Sequence, residues 1–150
     1  MGKVQRVRAL KVPVDIRTWS LQESDETHVP VPFPDEASRE GFLTAFPGRL
    51  DIRSSARMHT ADVLVEEWGT EPPENTGSAW EVREEAEFES ATGEVAIWSD
   101  GRGDSFLLSG PGRWSVRVYC AGREEAARQS RLVGAVHGVE SYLIQFWRGN

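Results

Sequence analysis

The sequence has one cysteine, Cys120, so no disulfide can form within the chain. Its three histidines, His28, His59 and His137, stand far apart. None sits in a His-x-His, His-Glu-x-x-His or Cys-x-x-Cys setting, so neither a metal nor another cofactor is expected. No apolar run approaches the about 20 residues that span a bilayer, and none follows the basic stretch Met1 to Leu10 as a secretory signal would require. A cytoplasmic protein with no membrane partner is the resulting expectation. Gly-x-Ser-x-Gly elbows and phosphate-binding glycine loops are missing too. Asp100-Gly101-Arg102-Gly103-Asp104 lacks the ligand spacing of a calcium loop and reads as a turn. No motif names a reaction, so no catalytic residue is assigned and a non-enzymatic role is expected.

What the 150 residues contain is the composition of a soluble globular protein, 39% hydrophobic and 27% charged, enough for one domain over residues 1–150. The dominant period is two. Leu10, Val12, Val14 and Ile16 alternate with Lys11, Asp15 and Arg17, as in a strand with one buried face. Similar runs at 49–53, 61–68, 80–89, 94–98, 105–109, 113–121 and 139–147 predict about eight strands. Turn signals separate them at 69–78, 99–104 and 109–112, and the last three strands before Arg123 read as hairpins. Pro34, Asp35 and Glu36 suit the opening of a short helix through Phe42. Glu124 to Arg131 reads as a helical excursion or a loop. The pattern predicts an all-β protein, an antiparallel sandwich of jelly-roll form with one or two short helices. Cys120 shares its parity with Trp114, Val116 and Val118, which places its thiol in the core. Trp80, Trp98, Trp114 and Trp147 lie near strand ends, where a large ring can close the core between two sheets.

Charge is segregated along the chain. Residues 60–100 hold twelve acids against Arg83 alone, while residues 1–20 carry five basic side chains and one acid. In the run Trp80 to Glu89 one parity holds Trp80, Val82, Ala86 and Phe88, and the other holds Glu81, Arg83, Glu85, Glu87 and Glu89. Glu81, Glu85, Glu87 and Glu89 thus project from one side of a single strand. Such a row gains nothing in stability by itself. It is either a solvated surface or a docking face for a basic protein, whose association it would accelerate. Direct nucleic-acid binding is disfavoured because the phosphate backbone requires a basic stripe. The N-terminal cations Lys3, Arg6, Arg8 and Lys11 look instead like the charges that keep an edge strand soluble.

A second reading uses Trp68 and Trp98 as exposed platforms for a carbohydrate or another small molecule. Glu84, which shares the apolar parity of Val82 and Ala86, would supply a carboxylate beside them. A homodimer joined through edge strands is a third.

The order of features also resembles a known family. Pro34-Asp35-Glu36-Ala37-Ser38-Arg39-Glu40-Gly41-Phe42 is followed by Gly48-Arg49-Leu50-Asp51-Ile52 and an apolar strand near Val63 to Val65. Later come Phe106-Leu107-Leu108, Gly112-Arg113-Trp114 and Val116-Arg117-Val118. Over residues 30–120 this is similar to the competence protein ComJ family, whose type member is a DNA-entry nuclease inhibitor; the C-terminal run Glu140 to Trp147 departs from the pattern. The resemblance implies a small β-sandwich without catalytic residues that binds and inhibits a nuclease. The acidic row fits that role, because a nuclease presents a basic groove to DNA.

Overall fold

The computed structural model describes residues 3–15, 17–30, 41–77, 79–99, 101–133 and 136–148. Ten strands lie among the described residues: β1 (Val4–Asp15), β2 (Thr18–Glu23), β3 (Leu43–Phe46), β4 (Arg49–Arg53), β5 (Met58–Trp68), β6 (Val82–Ser90), β7 (Glu94–Ser99), β8 (Gly101–Leu107), β9 (Gly112–Ala121) and β10 (His137–Arg148). A single α-helix among the described residues, α1 (Arg123–Val133), joins β9 to β10.

The strands form two layers. One runs β1-β5-β10-β9-β6 and the other β3-β4-β2-β7-β8. They meet at a corner where Asp15 pairs with Thr18 and Arg17 adopts a φ of 65°. Alternation decides what each layer buries. Leu10, Val12 and Val14 of β1, Ala61, Val63 and Val65 of β5, and Val116, Val118 and Cys120 of β9 turn inward. Against them pack Trp19 and Leu21 of β2, Leu50 and Ile52 of β4, and Val95 and Ile97 of β7. Aromatic edges lock the layers together: Trp19 meets Tyr142 at 5.1 Å and Phe106 meets Phe146 at 5.9 Å between ring centroids.

The all-β sandwich read from the period-two pattern is thus the observed architecture. It is antiparallel except for one pair, β5 with β10, which run parallel. Three local expectations are corrected. The segment 101–104, read as a turn, is strand, because it opens β8, where Gly101 and Arg102 pair with Ser99 and Trp98 of β7. β8 and β9 do not form a hairpin; residues 108–111 cross between the layers, and β9 pairs with β6 and β10. Of the four tryptophans placed between the sheets, Trp114 lies there; Trp147 is buried on the outward face of its layer, and Trp80 and Trp98 are half-buried. Trp19 fills the core beside Tyr142 instead.

The helical reading of 124–131 is met by α1, whose first N–H groups at Arg123 and Glu124 donate to the Glu81 carboxylate. Gly122 precedes it at a φ of 75°, and a Cβ there would lie 1.9 Å from the Val139 carbonyl oxygen, so only glycine fits. The expected helix from Pro34 lies almost wholly outside the described residues; Phe42, at its end, is buried in the core.

Candidate functional site

The outward face of the β1-β5-β10-β9-β6 layer collects most of the acidic middle of the chain. From β5 it takes Asp62 and Glu66, which alternate with inward Ala61, Val63 and Val65. From β6 and the residue before it come Glu81, Glu85, Glu87 and Glu89, all exposed. The connection between β5 and β6 lays Glu71 and Glu74 across the same face. These eight carboxylates, from three stretches of chain, face the cations Lys11, Arg83, Arg113 and Arg117.

The β5–β6 connection is strapped down by two residues of β9. Arg117 is fully buried on this face; its Nη1 donates to the Pro72 carbonyl, its Nη2 to Glu71 and its Nε to Glu85, each at 2.9 Å. Its guanidinium lies 5.0 Å over the Trp147 ring. The Tyr119 hydroxyl donates to Glu74 and accepts from the Asn75 N–H, both at 2.9 Å. Trp80 then donates to Asn75 Oδ1 and packs its ring 5.2 Å from Tyr119. Glu74 is held below the usual carboxylate range, first by hydrogen bonding from Arg83 and then from Tyr119.

The four acids singled out in sequence are therefore brought together on one surface but do different things. Glu81 caps α1. Glu85 is bonded to Arg117 and Arg83. Glu87 lies 3.5 Å from Arg113 in a pair exposed on both sides, which stabilises little. Glu89 projects outward beside it. Sequence reasoning missed Asp62, Glu66, Glu71 and Glu74 as members of this face, although all four belong to the acidic stretch it had counted.

Trp68, Trp98 and Glu84 are not brought together. Trp68 sits on the outward face of β5 with its indole N–H bonded to Glu66 at 2.8 Å. Trp98 belongs to the opposite layer, on β7, and Glu84 is half-buried on the inward parity of β6.

A second polar cluster, invisible in sequence, lies in the interior between the α1 end of the sandwich and β5. Glu140, fully buried, accepts from Ser54 Oγ at 2.7 Å, from the Ser55 N–H at 3.0 Å and Oγ at 2.8 Å, and from the Tyr142 hydroxyl at 2.7 Å. Ser54 Oγ also meets His59 Nε2 at 2.6 Å. Serine, histidine and glutamate side by side suggest a nucleophile relay, but the arrangement is wrong for one. The carboxylate approaches the same ring nitrogen as the serine, at 3.4 Å, while Nδ1 has no hydrogen-bond partner among the described residues. Burial holds the His59 pKa below its usual value, against the opposing pull of Glu140. Cys120 lies alongside as the sequence parity required, its thiol pushed up to about 12 by burial and by the Glu140 charge. Among the described residues no group of His, Cys, Asp and Glu could hold a metal ion, and no helix is long and apolar enough to cross a membrane.

No protein-family model matches the chain, and no curated protein matches it in sequence. Solved structures do match in fold. ComJ from Bacillus subtilis, described as an inhibitor of the DNA degrading activity of NucA, superimposes with a TM-score of 0.66 over 99% of this chain and 98% of its own, at 18% identity. The protein described as crocagin biosynthetic gene J superimposes with a TM-score of 0.62 over 97% of this chain and 98% of its own, at 13% identity. The likeness to ComJ read from the order of residues between 30 and 120 therefore holds for the fold, and in fold it extends through the C-terminal run Glu140 to Trp147, where the residue pattern departs. This chain is similar to ComJ in fold over nearly its whole length.

Proposed function

We propose that this protein binds a basic partner protein, of the nuclease class that ComJ inhibits, through the outward face of the β1-β5-β10-β9-β6 layer. The observation that carries the reading is the convergence of carboxylates from β5, the β5–β6 connection and β6 on one surface. A nuclease must hold a phosphodiester backbone and therefore presents concentrated positive charge. A rigid surface of opposite charge competes for that groove and is drawn to it at long range. Inhibition would follow from occupancy, with no chemistry contributed by this chain. Glu87 and Glu89 would make the direct contacts, because Glu81 and Glu85 are committed to α1 and Arg117.

The test uses tagged protein and lysate of the native host at low and high salt, beside a Glu87→Lys/Glu89→Lys variant. The reading expects a basic protein held by the wild type, released by salt and lost from the variant, whose DNA-degrading activity falls when the wild type is added back. Equal retention by the variant, or a retained protein whose activity is untouched, would overturn it.

A further inference from the structure

Beside the strap, on the same face, a cavity of about 500 Å³ opens between β1, β5, β10 and the β5–β6 connection. Its floor is apolar, formed by Leu64, which is 37% exposed, and Leu143. Trp80 and Asn75 of the connection form one wall, and the carboxylates Asp62 and Glu66 of β5 stand on the other side. These parts are fixed before any partner arrives. Trp80 is held by Asn75 and Tyr119, and one oxygen of Glu66 accepts from both Trp68 Nε1 at 2.8 Å and Gln145 Nε2 at 3.1 Å. The cation on the rim is Lys11, 2.9 Å from Asp62 and 77% exposed, a pair that an incoming charge can exchange at small cost.

We infer that this cavity receives an arginine side chain of the basic partner. The inference rests on the proposed function, since it names the group that such a partner would present here. Asp62 and Glu66 exclude an anion, and a purely apolar occupant would cover Glu66, whose donors Trp68 and Gln145 are neutral, without bringing it a counter-charge. A flat guanidinium satisfies every wall: its plane lies along an indole, its fork meets carboxylates, and its methylene stem covers the leucines. The protein already holds one arginine this way on the same face. Arg117 lies over Trp147 with Glu71 and Glu85 on its nitrogens, so the second set of indole and carboxylates repeats a combination this sheet is seen to favour. A buried arginine in a preformed pocket is also the kind of contact that dominates binding energy in an interface.

The probe is Nα-acetyl-arginine amide, titrated into the whole protein while the Trp80 indole N–H and the Leu64 and Leu143 methyl resonances are followed by NMR. Nα-acetyl-citrulline amide, of the same shape without the charge, is run beside it. Saturable shifts with the arginine compound alone are expected, weakened by about threefold to tenfold in Glu66→Gln and unchanged in Asp104→Asn on β8. If Glu66→Gln does not fold, Leu64→Trp, which fills the cavity, should abolish the shifts. Absence of shifts at Trp80 and Leu64, equal shifts with citrulline, or shifts indifferent to both variants would overturn the inference. Because the titration needs no partner, that failure would leave salt-dependent capture through Glu87 and Glu89 standing, whereas loss of capture alone would remove the wider reading.

Discussion

Arg117 and Glu85 stand opposite each other on β9 and β6, with Nε 2.9 Å from the carboxylate, and this contact within the sheet holds the guanidinium under the strap that crosses it. The same guanidinium holds Glu71 and the Pro72 carbonyl. Arg117→Ala should lower stability by about 2–4 kcal/mol, since three hydrogen bonds and the stacking on Trp147 go together. Urea unfolding measures the loss. A red shift of native Trp emission should accompany it as the strap lifts; an unchanged spectrum would contradict this account of the strap.

The acids of β6, with Glu81 just before it, divide into structural and free-facing ones, and stability can tell them apart. Glu81→Ala removes the cap of α1 and should cost about 1 kcal/mol. Glu89→Ala should stay within about 0.5 kcal/mol of the wild type, as expected of an exposed surface position. Thermal unfolding of the two variants gives the comparison, and equal losses would refute the division.

Kinetics gives a second view of the same face. With a captured partner in hand, Glu87→Lys/Glu89→Lys should slow association by about tenfold at low salt and bring the two rates together at high salt. Stopped-flow measurements at several ionic strengths would show parallel curves instead if the face were merely solvated.

Glu23 is a buried carboxylate that ties β2 to the turn after β6. It accepts from Ser90 Oγ at 2.6 Å, from the Asp25 N–H, and from the N–H and hydroxyl of Thr92. Burial pushes its pKa up, but these hydrogen bonds together pull it below the 4.5 of a free glutamate. A lowered native pKa means that the unfolded chain binds the proton more tightly. The contribution is therefore full above about pH 4.5 and is lost as pH falls through the native value. Glu23→Gln should cost about 1–3 kcal/mol at pH 7 and less as the pH is lowered toward 3, a convergence visible in denaturation midpoints.

His59 works in a higher window. Burial holds its native pKa below the 6.5 of a free histidine, so the unfolded chain takes up the proton first and stability declines as pH falls below that value. Glu140 opposes the effect without reversing it. Between about pH 6.5 and pH 5 the wild type should lose stability faster than His59→Gln, before Glu23 begins to titrate. Parallel curves for the two proteins over that range would count against a neutral, buried His59.

Much of this was legible in the sequence where the alternation was clean. Glu81, Glu85, Glu87 and Glu89 stand on the face that the parity of Val82, Ala86 and Phe88 demanded. Cys120 went inward with Val116 and Val118 for the same reason. β2 escaped notice because only two residues separate it from β1, and nothing in Ile16-Arg17 announces a corner made by a left-handed arginine. The second half of β8 was marked by the run from Ser105, but its first half escaped because the glycines of 101–104 signal a turn, while what makes it strand is the backbone ladder with β7. The acids of β5 and of the strap could not be added to the β6 row from sequence, since their common face depends on the pairing of β5 with β10 and of β10 with β9. Glu140 and His59 are inward on two strands, 81 residues apart in chain, and touch through Ser54, which no periodicity reveals.

The strap has one more consequence, for the entropy of recognition. A loop of this length usually freezes when a partner lands on it, and the ordering subtracts from affinity. Here Arg117, Tyr119 and Asn75 have fixed it during folding, so that loss is taken from the stability of the fold and not from the complex. Binding should then proceed between two nearly rigid surfaces, and loosening the strap should weaken a complex whose contacts it leaves intact.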